Sequence, residues 1–206
     1  MDATDFHPLW QADATVLERG VCARHLAPAW AMLLFGDGSP TRHLGLATGA
    51  PIGVEVLSMA ADDGADAPAA VGEIAAPRLR REVWLTHADG RRLAHAVSWW
   101  PGADADRHLG DRAQPIWASL AQRRVELYRE LRGVALGRSA ALEAAFDAGG
   151  PLWRRFYVFW RAGRPLTLIV ETFSPALDRW LGSSQALETL PDHCPDCALR
   201  LDRPKG

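Results

Sequence analysis

The chain has 206 residues, of which 48% are hydrophobic and 23% are charged, a balance typical of a soluble globular protein and not of a disordered or fibrous one. Lysine and arginine number 23 against 25 aspartate and glutamate residues, which gives a formal net charge of -2. No block of like charge favours nucleic acid or an anionic membrane as a partner, and the apolar runs fall well short of the roughly 18 residues that a membrane span needs.

The two ends of the chain carry few functional signals. The first ten residues have neither a basic start nor an apolar stretch, so we expect no secretory signal and a cytoplasmic location. Cys22, Cys194 and Cys197 are an odd number, which argues against a disulfide framework. Cys194 and Cys197 follow His193 in a CxxC pattern, but neither a redox context nor enough further zinc ligands is evident. We expect one domain over 1–180, a polar tail over 181–206, and no metal or cofactor.

The first half of the chain predicts helices followed by a strand. Spaced apolar residues over 8–35 predict one or two helices that pack on a core. Residues 36–41, with the sequence GDGSPT, predict a turn. Apolar residues alternate with others over 52–59, which is typical of a half-buried strand, and 60–70 is predicted to be a loop.

Two β-hairpins are the clearest local units. The first covers 81–100, where two segments of strand composition flank Asp89 and Gly90, a dipeptide suited to a tight turn. The second pairs 155–160 with 166–173 across a turn at 162–165.

The segments between the hairpins are less regular. A proline suited to a first helical turn opens a predicted helix over 115–122, and an alanine-rich helix over 139–150 is predicted to end at glycines. Residues 125–131 fit either a strand or a helix, and we favour the strand. Two hairpins with helices clustered before and between them indicate an α+β fold with an antiparallel sheet, and not alternating βαβ units.

Five segments, in this order and spacing, resemble the chorismate lyase family. Their sequences are LLFGDGSPTRHL (33–44), LRREVWLTHADGRRLAHA (79–96), QPIWASL (114–120), LWRR (152–155) and GRPLTLIVETFSP (163–175). The resemblance implies an antiparallel sheet of about six strands with helices on one side and a buried pocket that closes over an aromatic product. It also implies a cofactor-independent lyase that removes pyruvate from chorismate to leave 4-hydroxybenzoate, as in ubiquinone biosynthesis.

The resemblance also assigns roles to individual residues. The family's arginine that holds the product carboxylate falls on Arg81, and its glutamate at the ring hydroxyl falls on Glu171. Two further substrate contacts fall on Pro40 and Ile116. Pro40 departs from the family pattern because it lacks a backbone N–H, and Trp117 stands where relatives have a small residue. Such departures leave room for a different substrate preference.

The chemistry explains why the family would use these residue types. Chorismate carries two carboxylates, and arginine supplies a fixed, bidentate positive charge. Arg81 shares its predicted inward face with Val83 and Leu85, although a surface pair with Glu82 is the alternative. Glu171 is a carboxylate in an otherwise apolar strand, which indicates either a functional role or a position on the solvent side of the sheet.

Several questions stay open at the level of sequence. Arg129, Arg154 and Arg155 are each candidates for the enolpyruvyl carboxylate or for surface salt bridges. The tryptophans, including Trp99 and Trp100, either line the pocket or fill the core. The alternative function is a non-catalytic protein that binds small aromatic acids with the same fold. We expect chorismate and 4-hydroxybenzoate as the small-molecule partners, and a monomer or weak dimer. The pathway served and the 3- or 4-hydroxy isomer of the product are not determined.

Overall fold

A single antiparallel sheet dominates the computed structural model, which describes residues 5–13, 26–62, 64, 67–108 and 126–184. Its seven strands lie in the order β1-β5-β6-β7-β4-β3-β2, so β7 is the central strand. The strands are β1 (His7–Asp13), β2 (Gly53–Ala61), β3 (Arg78–Thr86), β4 (Arg92–Pro101), β5 (Tyr128–Arg138), β6 (Leu152–Arg161) and β7 (Arg164–Phe173).

The α+β class and the antiparallel sheet are confirmed, with one strand more than the expected number of about six. The additional strand is β1, which pairs with β5 and sets Trp10 opposite Leu136. The prediction of a helix starting at residue 8 is therefore wrong for 8–13. Apolar spacing over so few residues does not distinguish a helix from a strand, and the open backbone edge of β5 provides the hydrogen-bonding partner that decides between them.

Helices cover both faces of the sheet, though unequally. The described residues contain five α-helices: α1 (Pro28–Phe35), α2 (Pro40–Thr48), α3 (Gly102–His108), α4 (Ala140–Phe146) and α5 (Asp178–Leu181). The main apolar core joins α1, α2 and α5 to one face, and α3 packs on the same face. On the opposite face, α4 packs against Trp84, and a 3-10 helix, Ala69–Glu73, packs against Trp99. Most helices thus lie on one side, as the resemblance implied.

Both predicted hairpins are present. In the first, residues 87–91 connect β3 to β4, and Gly90 takes the positive φ of 86° that the turn requires. In the second, Ala162 and Gly163 alone connect β6 to β7, with φ of 48° and 73°. Two successive positive φ angles are typical of the type I′ turns that favour two-residue hairpins.

The remaining segments largely follow the predictions. Within 139–150, α4 begins after the Ser139 cap and ends at Asp147, which takes a positive φ of 52° in place of the expected glycine. The strand favoured for 125–131 is present from Tyr128 onward. The predicted helix over 115–122 lies outside the described residues, as do all three cysteines and His193. The division into a domain over 1–180 and a tail over 181–206 stays a prediction.

Candidate active-site pocket

A pocket lies between the helix-rich face of the sheet and the start of α2. Its volume is about 530 Å³ when the space open to solvent is counted. Its walls are mainly apolar, with Val54, Val83, Leu85, Ala96, Phe159 and Ile169 among the lining residues. A few polar side chains converge on this apolar space, among them Arg81, Arg129, Tyr157 and Glu171.

Arg81 enters the pocket from β3. It lies on the same face of the strand as Val83 and Leu85, and it is only 2% exposed. Burial lowers the pKa of Arg81 to about 10, so its guanidinium remains charged at neutral pH. The alternative, a surface pair with Glu82, does not occur, because Glu82 faces the other side of the sheet and binds Arg80 at 2.7 Å.

Glu171 lies on the central strand β7 and also lines the pocket. It is 3% exposed, so it is not on the solvent side of the sheet. Its Oε2 accepts a hydrogen bond from Arg155 Nε at 2.7 Å, and its Oε1 accepts one from Tyr157 Oη at 2.9 Å. A carboxylate offers about four lone-pair sites, so each oxygen retains capacity for a ligand.

Arg155 and Tyr157 hold Glu171 in position. Arg155 is fully buried and also donates from Nη1 to the carbonyl oxygens of Leu33 and Gly36 at the end of α1. Burial alone would lower the pKa of Arg155, but the charge of Glu171 outweighs it and raises that pKa. Burial and Glu171 both raise the pKa of Tyr157, so its hydroxyl stays protonated and donates. Sequence reasoning did not identify Tyr157, although its period-two spacing from Arg155 places it on the same face.

Arg129 reaches the pocket from β5. Its Nη1 donates to the Gly38 carbonyl at 2.6 Å, and its guanidinium lies over the rings of Tyr157 and Phe159, at 4.3 and 4.9 Å from their centroids. Burial, and then the positive charges of Arg155 and Arg129, lower the pKa of His43, so this imidazole is disfavoured from adding a further positive charge beside the two arginines. The turn between α1 and α2 therefore holds Arg129 and Arg155 through its carbonyl groups.

Of the other residues predicted for the site, some line the pocket and others do not. Pro40 lines the pocket as the first residue of α2, directly after Ser39, whose Oγ accepts from Arg42 N at 3.5 Å. Ile116 lies outside the described residues. Arg154 points away from the pocket, to Thr172 Oγ1 at 2.9 Å and the ring of Phe6. The described tryptophans are not among the residues that line this pocket, and Trp99 and Trp100 belong to apolar core clusters.

The relative position of Arg81 and Glu171 follows from the register of the sheet. Arg81 and Glu171 lie two strands and two residues apart, which corresponds to about 12 Å between their Cα atoms. Both side chains line the pocket, so a cation and a hydrogen-bond acceptor border the same apolar space. Among the described residues, no group of three or more His, Cys, Asp or Glu side chains could hold a metal ion. Nor does any described helix have the length and apolar character needed to cross a membrane.

Comparisons with solved structures bear on the fold alone. PhnF from Mycobacterium smegmatis matches with a TM-score of 0.51 at 19% identity, over 68% of this chain and 65% of the PhnF chain. The chain thus spans just under two thirds of PhnF. The separate effector domain of PhnF matches with the same TM-score and identity, over 90% of its length. The sheet and helices therefore share the fold of that effector domain.

Comparisons of sequence identify the family. The protein is 31% identical to the uncharacterized protein ycf21 of Cyanophora paradoxa over 175 residues, which are 84% of this chain and 91% of that protein. It is 30% identical to ycf21 of Porphyra purpurea over 151 residues, 73% of this chain and 83% of that protein. The family model described as chorismate pyruvate-lyase Rv2949c-like matches residues 34–181, a range that includes Pro40, Arg81 and Glu171. The chain therefore belongs to the Rv2949c-like chorismate pyruvate-lyase family.

Proposed function

We propose that the protein is a chorismate pyruvate-lyase that converts chorismate to 4-hydroxybenzoate and pyruvate without a cofactor. The observation that carries this proposal is the presence of Arg81 and Glu171 in one buried, apolar-walled pocket, although 90 residues separate them in the sequence. Arg81 binds the ring carboxylate, and Glu171 accepts the hydrogen bond of the ring hydroxyl. Pro40 and Ile116 contribute further contacts to the ring.

The reaction needs little covalent chemistry from the protein. The ring carbon that bears the hydroxyl loses its proton to Glu171, and the electron pair of that C–H bond completes the aromatic ring. The neighbouring carbon–oxygen ether bond breaks at the same time and releases enolpyruvate. It departs as the enolate, which takes up on its CH₂ carbon the proton that Glu171 removed from the ring and so becomes pyruvate. Aromatisation supplies the driving force, and the residues of the pocket orient the ring and exclude water.

Tyr157 and Arg155 support the role of Glu171 as acceptor. Their two hydrogen bonds fix both carboxylate oxygens, so Glu171 is oriented before the substrate arrives.

The test is an assay of the purified protein with chorismate, in which 4-hydroxybenzoate is followed by chromatography and pyruvate by a coupled enzyme. We expect equal amounts of the two products. Glu171→Gln should lower kcat by about 10²-fold to 10⁴-fold, the range typical of a lost general base. Glu82→Gln is the matched control, because Glu82 is equally buried and also accepts two hydrogen bonds, but on the opposite face of the sheet.

Each alternative result has a distinct meaning. If neither product forms while 4-hydroxybenzoate raises the melting temperature, the protein binds aromatic acids without converting them, and the proposal is wrong. If pyruvate forms with 3-hydroxybenzoate, the lyase activity stands and the product changes. If Glu171→Gln retains the wild-type kcat, the assignment of the base fails. Location in the cytoplasm and supply of 4-hydroxybenzoate to a pathway such as ubiquinone synthesis are further parts of the proposal.

A further inference from the structure

We infer that Arg129 binds the enolpyruvyl carboxylate and thereby makes the pocket select a dicarboxylate substrate over its monocarboxylate product. This inference rests on the proposed function. Chorismate carries one carboxylate on the ring and a second on the enolpyruvyl ether. Since Arg81 is assigned to the ring carboxylate, the second carboxylate needs its own cation.

Among the described residues, Arg129 is a buried cation with no carboxylate partner. It is 8% exposed, and its Nε is buried without a hydrogen-bond partner among the described residues. The contacts of its guanidinium within the described part of the chain are a carbonyl oxygen and two aromatic rings. Neutral groups of this kind compensate only part of the cost of burying a charge. An anionic ligand in the pocket would supply the remainder.

The position of Arg129 matches the position of the ether group. On chorismate, the hydroxyl and the enolpyruvyl ether occupy neighbouring ring carbons. Glu171 is assigned to the hydroxyl, and Tyr157 donates to Glu171. The guanidinium of Arg129 lies 4.3 Å from the centroid of that same Tyr157 ring. Arg129 is therefore at the end of the pocket where the ether and its carboxylate would lie.

The two other arginine candidates are occupied elsewhere. Arg155 binds Glu171 and the carbonyl groups at the end of α1, and it does not line the pocket. Arg154 faces the opposite side of the sheet. Arg129 alone among these three lines the pocket.

This placement has a consequence for turnover. When the ether bond breaks, the second carboxylate leaves with pyruvate, and 4-hydroxybenzoate keeps only the ring carboxylate. The product therefore loses the contact with Arg129 that the substrate makes. Such a contact would favour binding of chorismate over retention of the product.

The experiment compares the affinities of two ligands that cannot react. The first is 4-hydroxybenzoate, and the second is the same compound with an enolpyruvyl ether at its 3-position, which keeps both carboxylates. Calorimetry should show that the wild-type protein binds the dicarboxylate about tenfold to a hundredfold more tightly, as expected for a charge-assisted hydrogen bond. In Arg129→Gln this preference should fall to about threefold or less, with the Kd for 4-hydroxybenzoate changed by no more than about threefold.

Arg132→Gln is the matched control, because Arg132 is on the same strand but binds Glu73 and Glu130 outside the pocket. It should keep the wild-type preference. Arg129→Lys provides a second variant in case Arg129→Gln does not fold, and it should retain part of the preference because the positive charge remains.

The failure of this inference is distinguishable from the failure of the proposed function. If Arg129→Gln weakens both ligands equally, Arg129 holds the ring carboxylate or only supports the fold, and the inference is overturned. If the wild-type protein shows no preference for the dicarboxylate, the inference also fails, whatever the turnover. If the preference exists and depends on Arg129 but chorismate is not cleaved, the inference stands and the proposed lyase activity fails.

Discussion

Within the described part of the chain, each face of the sheet buries one glutamate, and the surroundings of the two carboxylates differ. On the pocket face, Glu171 accepts hydrogen bonds from Arg155 and Tyr157. On the opposite face, Glu82 accepts hydrogen bonds from Arg80 at 2.7 Å and His95 at 2.8 Å. Both carboxylates are 3% exposed.

The difference lies in the neighbouring cations and in the space around them. Arg80 keeps 22% of its side chain exposed, so solvent shares its charge. Arg81 and Arg129 are 2% and 8% exposed and border the pocket. The number of buried charges therefore does not identify a functional site. What distinguishes the pocket face is buried positive charge beside an apolar-walled pocket.

The largest expected difference in kcat/KM is between substitutions of two neighbouring arginines on β3, Arg81 and Arg80. Arg81→Gln should lower kcat/KM for chorismate by about 10³-fold, because it leaves the ring carboxylate buried without its cation. Arg80→Gln should leave kcat/KM within about threefold of wild type, since Arg80 faces the other side of the sheet. Steady-state kinetics on both variants, with circular dichroism to verify folding, measures the contrast.

Equal losses of kcat/KM in Arg81→Gln and Arg80→Gln would contradict the assignment of the substrate to the pocket face. Such a result would mean that charge on β3 acts through the stability of the strand and not through the pocket. A large loss for Arg80→Gln with an active Arg81→Gln would place the substrate on the opposite face.

The next expected effect is a loss of folding stability at low pH, caused by protonation of Glu82 on the opposite face of the sheet. Burial alone would raise the pKa of Glu82, but hydrogen bonds from His95 and Arg80 outweigh it and lower the pKa from 4.5 to about 2. A carboxylate with a depressed pKa in the folded state stabilises the protein above about pH 4.5, and this contribution is lost as the pH falls toward 2. The loss corresponds to about 3 kcal/mol in the free energy of unfolding.

Glu82→Gln should remove this contribution. Urea unfolding between pH 6 and pH 2.5 should show a variant that is less stable than wild type near neutral pH and that loses less stability on acidification. Glu55→Gln, at an exposed carboxylate on β2, should follow the wild-type curve. Identical pH profiles for wild type and Glu82→Gln would show that the ion cluster of the opposite face does not stabilise the fold.

The sequence predicted more of the fold than of the site. Both hairpins and the class of fold follow from local signals, namely turn residues and the alternation of apolar residues. The face of Arg81 was predictable because it shares the alternation of Val83 and Leu85. The face of Glu171 was not, because β7 is the central strand and its residues are apolar on both sides.

The choice among the arginines depended on an irregularity that alternation does not reveal. Val134 and Arg129 face the same side of the sheet although they are five positions apart in the sequence. The pairing of β5 with β6 shifts between Leu131 and Gly133, and such a β-bulge reverses the side on which the following residues point. A period of two from Val134 would have placed Arg129 on the wrong face, so only the register of the folded sheet assigns it to the pocket.

The smallest expected effect concerns the turn between β6 and β7, whose residues Ala162 and Gly163 do not line the pocket. Ala162 takes a φ of 48°, where an alanine costs about 1 kcal/mol relative to residues that tolerate this region. Ala162→Asn should therefore raise the free energy of unfolding by about 0.5 to 1 kcal/mol, because Asn-Gly is the preferred pair for a type I′ turn. Gly163→Ala is the matched opposite: a Cβ would meet open space, so any loss of stability arises from its φ of 73° alone. Chorismate turnover should be the same in both variants when it is measured well below their melting temperatures. Turnover could instead rise in Ala162→Asn and fall in Gly163→Ala, in step with their stabilities. That result would show that lower stability alone can reduce turnover, so the losses in Arg81→Gln and Glu171→Gln would not require a contact with the substrate.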